Sequence, residues 1–231
     1  RVSVSVTPEK VLVEQADQDE APLEAPHVQA RKYMMVIDDP RPLAASHKYA
    51  GQLLGPLQLA DLSFKEVLVT CGAKAASCAR LASLAQSSDS GFKAPASFCV
   101  PFGTFEMAIA DAELAEQHEA AMQKLEQAVG TDGLLDAAGR LSDLARTVPL
   151  PESLLKDLAG GLAQLGARRC AVRSSASSED LKGFSGAGLY RTLLNVAVGP
   201  AQTDAPAGAV REVFASLFSE RAVLGRRAAG P

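Results

Sequence analysis

Residues 170–190 read CAVRSSASSEDLKGFSGAGLY, and the fold and the chemistry both turn on this stretch. Cys170, Ala171 and Val172 make a short apolar run that reads as a buried strand, ended by Arg173. From Ser174 to Gly188 the residues become polar, with glycines at 183, 186 and 188, so a loop is expected. Tyr190 to Val196 then reads as a second strand. A strand-end arginine offers a planar, permanently charged fork for phosphate oxygens. A loop of glycines and serines can lay backbone and hydroxyl donors against a polyphosphate. The stretch lacks the G-x-x-x-x-G-K-[ST] pattern of a Walker loop. Residue types alone leave two readings open, an anion-binding loop between strands or a mobile surface loop.

Downstream, Val210, Val213, Phe214, Leu217, Phe218 and Leu224 recur at helical spacing and predict one closing helix. Arg221, Arg226 and Arg227 lie towards its C-terminal end, where cations suit the helix dipole. No strand follows to complete a sheet before Pro231, so the natural chain is expected to continue beyond it. Upstream, helical composition dominates from Phe105 to about Gly166. Turns at Gly130/Gly133 and Pro149/Pro151 divide that region into three predicted helices. Glu113, Glu116, Lys124 and Glu126 read as a solvated face. Pro95–Pro101 is a short β-prone piece, and 74–84 is an Ala- and Leu-rich helix with Gly72 just before it.

Near the N-terminus, Val2, Val4 and Val6 alternate with serines as in a half-buried strand, and Val11–Val13 predicts a second. Residues 14–31 are acidic and proline-broken, which marks a linker and a domain boundary, with residues 32–231 as the main domain. Tyr33–Ile37 predicts a strand, stopped by a turn at Asp38, Asp39 and Pro40. The fold class is therefore α/β, or α+β if one lobe is counted, with a small sheet flanked by helices.

With 231 residues, 47% apolar and 22% charged, the composition is that of a globular domain large enough to bury its own core. A net charge of −4 gives no nucleic-acid footprint, and no apolar run approaches the roughly 18 residues of a membrane span. Arg1–Lys10 lacks the layout of a secretory signal. Cys71, Cys78, Cys99 and Cys170, with His27, His47 and His118, show no zinc-ligand spacing. The cysteines read as reduced, mostly buried thiols, and no metal-ligating set is expected.

A second chemical candidate is Cys71-Gly72-Ala73-Lys74-Ala75-Ala76. Small residues before a helix let N–H groups approach an anion, and Lys74 would add a point charge, although an ordinary surface lysine fits equally. Taken together, three segments resemble the ATP-binding domain of the pyruvate phosphate dikinase and phosphoenolpyruvate synthase family, which includes the α-glucan dikinases. They are Gly72-Ala73-Lys74, PASFCVPFGTF from Pro95 to Phe105 completed by Glu106, and Val172–Tyr190. The resemblance covers about residues 67–231. The closing FASLFSERAVLGRRAAG resembles the phosphoglucan water dikinases in particular.

That resemblance implies the N-terminal lobe of an ATP-grasp nucleotide site, with the second lobe lying beyond this stretch. It implies ATP and Mg²⁺ as cofactors. Lys74 and Arg173 would contact ATP phosphates, and the loop backbone at Gly186, Gly188 and Leu189, with Thr192, would cover the β- and γ-phosphates. Glu179 and Asp180 belong to the motif without an assigned catalytic act. Family members cleave ATP to AMP, passing the β-phosphoryl through a histidine and the γ-phosphoryl to water or phosphate. That histidine belongs to a separate swivelling domain, an intramolecular partner, whose tail residues 1–31 would form. His47 lacks the surrounding residues of that site and reads as an ordinary loop histidine. The acceptor implied is a starch-like glucan in the plastid. Pyruvate, in a phosphoenolpyruvate synthase-like enzyme, is the alternative within the family. A non-catalytic helical interaction module is the alternative outside it.

Overall fold

A computed structural model of the chain describes residues 2–6, 11–15, 44–86, 91–166, 168–176, 188–198 and 204–229. It divides into two compact units, residues 1–39 and 40–231. In the first, β1 (Val2–Val6) pairs antiparallel with β2 (Val11–Gln15), with Val4 opposite Val13 and Val6 opposite Val11. Of the predicted linker over 14–31, residues 14 and 15 belong to β2 instead; its remainder, the Tyr33–Ile37 strand and the turn at Asp38 to Pro40 lie outside the described residues.

The second unit is α/β, a small antiparallel sheet flanked by helices, in keeping with the predicted class. It opens with α1 (Pro56–Asp61) and α2 (Phe64–Cys71), two helices the sequence reading leaves out. Their signals are present in the chain. Pro56 stands at the first helical position of α1, where its missing N–H costs nothing. For α2, Ser63 and Glu66 form a capping box: Glu66 N donates to Ser63 Oγ at 3.3 Å and Ser63 N donates to Glu66 Oε2 at 2.7 Å. α3 (Ala73–Gln86) covers the predicted helix, and Cys99 in the Pro95–Pro101 piece bridges antiparallel to Leu54.

Where three helices are expected between 105 and 166, there are four: α4 (Thr104–Asp111), α5 (Ala115–Gln127), α6 (Thr131–Thr147) and α7 (Glu152–Leu165). The additional break falls at Glu113, which adopts a left-handed φ of 58°. Neither glycine nor proline marks it, so no sequence signal announces it. Similarly, the single closing helix is two, α8 (Asp204–Ser216) and α9 (Glu220–Ala229). Ser219 caps α9 by accepting from Ala222 N at 3.3 Å, and Arg226 Nη2 donates to the Leu217 carbonyl at 2.7 Å. Phe218 is still buried across this corner, which is why the apolar periodicity runs through it unbroken.

β3 (Arg169–Arg173) and β4 (Thr192–Ala197) form the antiparallel sheet, with a register irregularity between Cys170 and Val172. The run Cys170–Val172 is half-buried or exposed rather than buried, because two strands bury only the face that packs on helices. Val172 contributes to a core with Leu150, Leu154 and Leu158 beside α7 and with Ala207 and Val210 of α8. The largest core joins Phe105, Ile109, Leu141, Ala145 and Phe218, and Leu141 is fully buried within it. A separate cluster, Leu54, Leu59, Val67, Cys71 and Ala76, holds α1, α2 and α3 together. Glu113, Glu116, Lys124 and Glu126 are exposed. Among the described residues no helix is long and apolar enough to cross a membrane.

Candidate nucleotide-phosphate site

The two chemical segments, 100 residues apart in sequence, meet in space. α2 ends at Cys71, and the chain turns through Gly72, at φ 88° and ψ 173°, before α3 begins. That conformation is essentially reserved for glycine. It brings the start of α3 against the exit of β3 so closely that a Cβ at position 72 would lie 2.1 Å from the Ser175 carbonyl oxygen. A helix start has N–H groups with no intrahelical acceptor. Here Ala75 N donates to Ser175 Oγ at 3.0 Å, so a serine from the other motif caps α3 from outside the helix. Next to it, Lys74 Nζ lies 3.5 Å from Ser174 Oγ, and Ser174 is buried.

Arg173 ends β3 and stands directly opposite Thr192 at the start of β4. Opposed residues of an antiparallel pair share a face. Both are exposed, so their side chains lie together on the solvent face while Val172 turns inward. Arg173 and Thr192 thus share the solvent face at this end of the sheet, while Lys74 reaches the next residue along, the buried Ser174. These residues bring cationic and hydroxyl donors into one short stretch of chain, donors of the kind a polyphosphate requires.

Gly188 (φ 75°) and Leu189 lie just before β4. They line a cavity of about 400 Å³ with Tyr190, Arg191, Arg146 and Glu212 among its walls. The Leu189 side chain packs towards Gly225 of α9. Gly186, Glu179 and Asp180 lie outside the described residues. Glu212 draws two arginines together, pairing with Arg191 and, at 3.3 Å, with Arg146.

The cysteines are free thiols, but only Cys71 is buried; Cys78 is exposed, and Cys99 and Cys170 are intermediate. Burial separates them because Cys78 falls on the outer side of α3 and Cys170 in a half-covered strand. Cys71, adjoining Gly72, hydrogen-bonds with Cys99. That bond holds the Cys71 thiol below the ordinary thiol range and pushes Cys99 above it. His47 is exposed, and its side chain stacks over Gly103, where a Cβ would lie 2.8 Å from the His47 Cγ. Glu106, which completes the PFG segment, sits in the first turn of α4, where an acid suits the dipole.

Residues 69–230 match the family described as pyruvate phosphate dikinase, AMP/ATP-binding domain. The chain belongs to that family. Three relatives are rifampicin phosphotransferases. One from a Streptomyces species is 33% identical over 178 residues, covering 77% of this chain and 19% of its own length. Another from Streptomyces sviceus is 37% identical over 145 residues, 61% of this chain and 16% of its own. A third from Bacillus subtilis is 32% identical over 142 residues, 59% of this chain and 15% of its own. The chain therefore spans less than a fifth of the length of these relatives. They are phosphotransferases, and the family supports ATP as ligand. The particular likeness of the closing segment to phosphoglucan water dikinases finds no support among them, nor do a glucan acceptor and a plastid location.

The residues present fit ATP. The half-buried Lys74 meets Ser174, and Arg173 and Thr192 stand side by side on the solvent face one residue away. Mg²⁺ would arrive with the phosphates, whose charge it would neutralise. Among the described residues no group of three histidines, cysteines or carboxylates is placed to hold a metal ion.

The sequence places Gly72 in the lysine segment and Ser174 and Ser175 in the loop, but does not say what they touch. Ser174 and Ser175 lie inside the quoted motif, but that they bond to Lys74 and Ala75 is set by a contact 100 residues away.

Proposed function

We propose that these residues form the phosphate-gripping part of the ATP site of a dikinase-type phosphotransferase. ATP would be cleaved to AMP, the β-phosphoryl passing through a histidine outside this stretch to a hydroxyl acceptor and the γ-phosphoryl to water or phosphate. The observation that carries this reading is the junction of the Lys74 and Arg173 segments through Ser174 and Ser175. Lys74 and Arg173 would neutralise phosphate charge. The backbone at Gly186, Gly188 and Leu189, with the Thr192 hydroxyl, would supply neutral donors. Phosphoryl transfer is largely positioning plus charge stabilisation, and this chain's residues provide both.

Residues 1–31, with the β1–β2 hairpin, would be the tail of a phosphohistidine-type domain, and a second ATP-grasp lobe would complete the nucleotide pocket. The acceptor would be engaged by domains outside these residues. Three acceptor classes come into consideration. A starch-like glucan, and with it a plastid setting, rests on the closing FASLFSERAVLGRRAAG. An aromatic, hydroxyl-bearing small molecule such as rifampicin rests on the names of the relatives. Pyruvate follows from the family description.

The test is calorimetric titration of Mg²⁺-ATP into the full natural chain and its Arg173→Ala variant. Removing one charge-assisted contact worth about 1.5–3 kcal/mol should weaken binding roughly 10- to 100-fold. Unchanged binding in the variant removes Arg173 from the site. No binding by the full chain points to the interaction-module reading. With β-labelled ATP, label reaching phosphoglucan, rifampicin or pyruvate identifies the acceptor.

A further inference from the structure

Three consecutive residues leaving the glycine-bearing loop are each fastened to the α8–α9 corner. Leu189 packs on Gly225, where even a methyl group would come within 3.3 Å of both Leu189 δ carbons. The Tyr190 ring is buried, and its hydroxyl accepts from Arg226 Nη1 at 3.4 Å. Arg191 N donates to Ser216 Oγ at 3.1 Å, and the Arg191 guanidinium pairs with Glu212. Ser216 is itself fixed, donating to the Val213 carbonyl at 2.6 Å. Immediately after these residues the chain enters β4 at Thr192, opposite Arg173.

Arg226 is the pivot of this arrangement. While Nη1 reaches Tyr190, Nη2 donates to the Leu217 carbonyl at 2.7 Å, at the end of α8. A planar guanidinium can hold two acceptors in fixed directions, which an ammonium cannot. One side chain thus ties the exit of the loop to the helix corner. Backbone donors bind an anion tightly only when their positions are set before it arrives, because ordering a loop on binding costs affinity.

We propose that α9 is a clamp for the nucleotide loop, in which Arg226 and Gly225 act as positioning residues that set ATP affinity without touching ATP. The proposal rests on the reading that residues 188–192 face the ATP phosphates. It assigns work to the closing RAVLGRR segment that charge at a helix end does not require.

The test separates the clamp from simple capping of α8. Tyr190→Phe removes only the hydroxyl that Arg226 grips and leaves the Leu217 carbonyl bond in place. Arg226→Gln removes both, Arg226→Lys keeps the charge without the fork, and Gly225→Val displaces Leu189. Each is made in the full natural chain, beside Arg173→Ala, with Mg²⁺-ATP affinity from calorimetry and melting temperature without nucleotide.

The clamp predicts that Tyr190→Phe weakens ATP about 3- to 10-fold at an unchanged melting temperature, the scale of one net hydrogen bond. Arg226→Gln should weaken it at least as much and Arg226→Lys should not rescue it. The double variant Tyr190→Phe/Arg226→Gln should bind no worse than Arg226→Gln, since both remove one link. Gly225→Val should weaken binding as well. A lower melting temperature in Arg226→Gln, with ATP affinity intact in it and in Tyr190→Phe, overturns the clamp and leaves Arg226 as a helix cap. If that happens while Arg173→Ala still loses ATP, the clamp falls and the ATP site stands. If Arg173→Ala binds like the parent, the ATP site itself is misplaced and the clamp goes with it.

Discussion

Replacing Gly72 by alanine probes the contact on which the site depends. Two costs add. An L-residue at φ 88° and ψ 173° occupies a region that only glycine enters freely, a penalty of about 1–3 kcal/mol. The new Cβ would also stand 2.1 Å from the Ser175 carbonyl oxygen, where real contacts begin near 3.0 Å. Because that neighbour is backbone, the start of α3 has to withdraw from β3 by almost an ångström. Withdrawal stretches the 3.0 Å bond from Ala75 N to Ser175 Oγ, costing about 0.5–1.5 kcal/mol more. The expected destabilisation is therefore about 1.5–4.5 kcal/mol, read from urea unfolding. Lys74 moves with the helix, so Mg²⁺-ATP affinity measured under folding conditions should drop by about tenfold or more. An alanine variant within about 0.5 kcal/mol of the parent, binding ATP equally, would show that close approach is not what the glycine provides.

Three further outcomes are expected. Gly139→Ala, at a position in α6 where an added Cβ meets nothing within 4 Å, should raise stability by about 0.5–1 kcal/mol in the same unfolding assay. Leu141→Ala, in the fully buried centre of the main core, should cost about 2–5 kcal/mol, measured by the same method. Burial beside Phe105 holds the His118 pKa below its ordinary value, against a smaller opposing pull from Glu106. The unfolded chain therefore takes up this proton first. Stability from His118 is fully present above about pH 7 and declines as pH falls through the ordinary value near 6.5. Thermal melts from pH 7.5 to 5.5 should show that decline in the parent and a flatter profile in His118→Gln.

Much of this molecule is legible from residue order because local rules act locally. The apolar-to-polar switch at Arg173 marks the end of β3, and the Ala- and Leu-rich run after Gly72 marks α3. Alternating valines mark β1. The Ser63–Glu66 capping box was equally readable for α2. Other features have no local signature. Glu113 turns the chain between α4 and α5 with a non-glycine left-handed residue. The α8–α9 corner hides under unbroken helical periodicity, since Phe218 stays in the core on either side of the bend.

For the site, residue order determined which side chains can carry the chemistry: a lysine after a glycine turn, a strand-end arginine and a glycine-bearing loop. Tertiary structure alone decided that Ser174 and Ser175 receive the start of α3, and that Thr192 stands beside Arg173. It alone decided, too, that Arg226 reaches Tyr190. The physical reason is range. Strand, helix and cap preferences act over a few residues, whereas the contact at Gly72 joins segments 100 residues apart. No local preference of either segment specifies that contact.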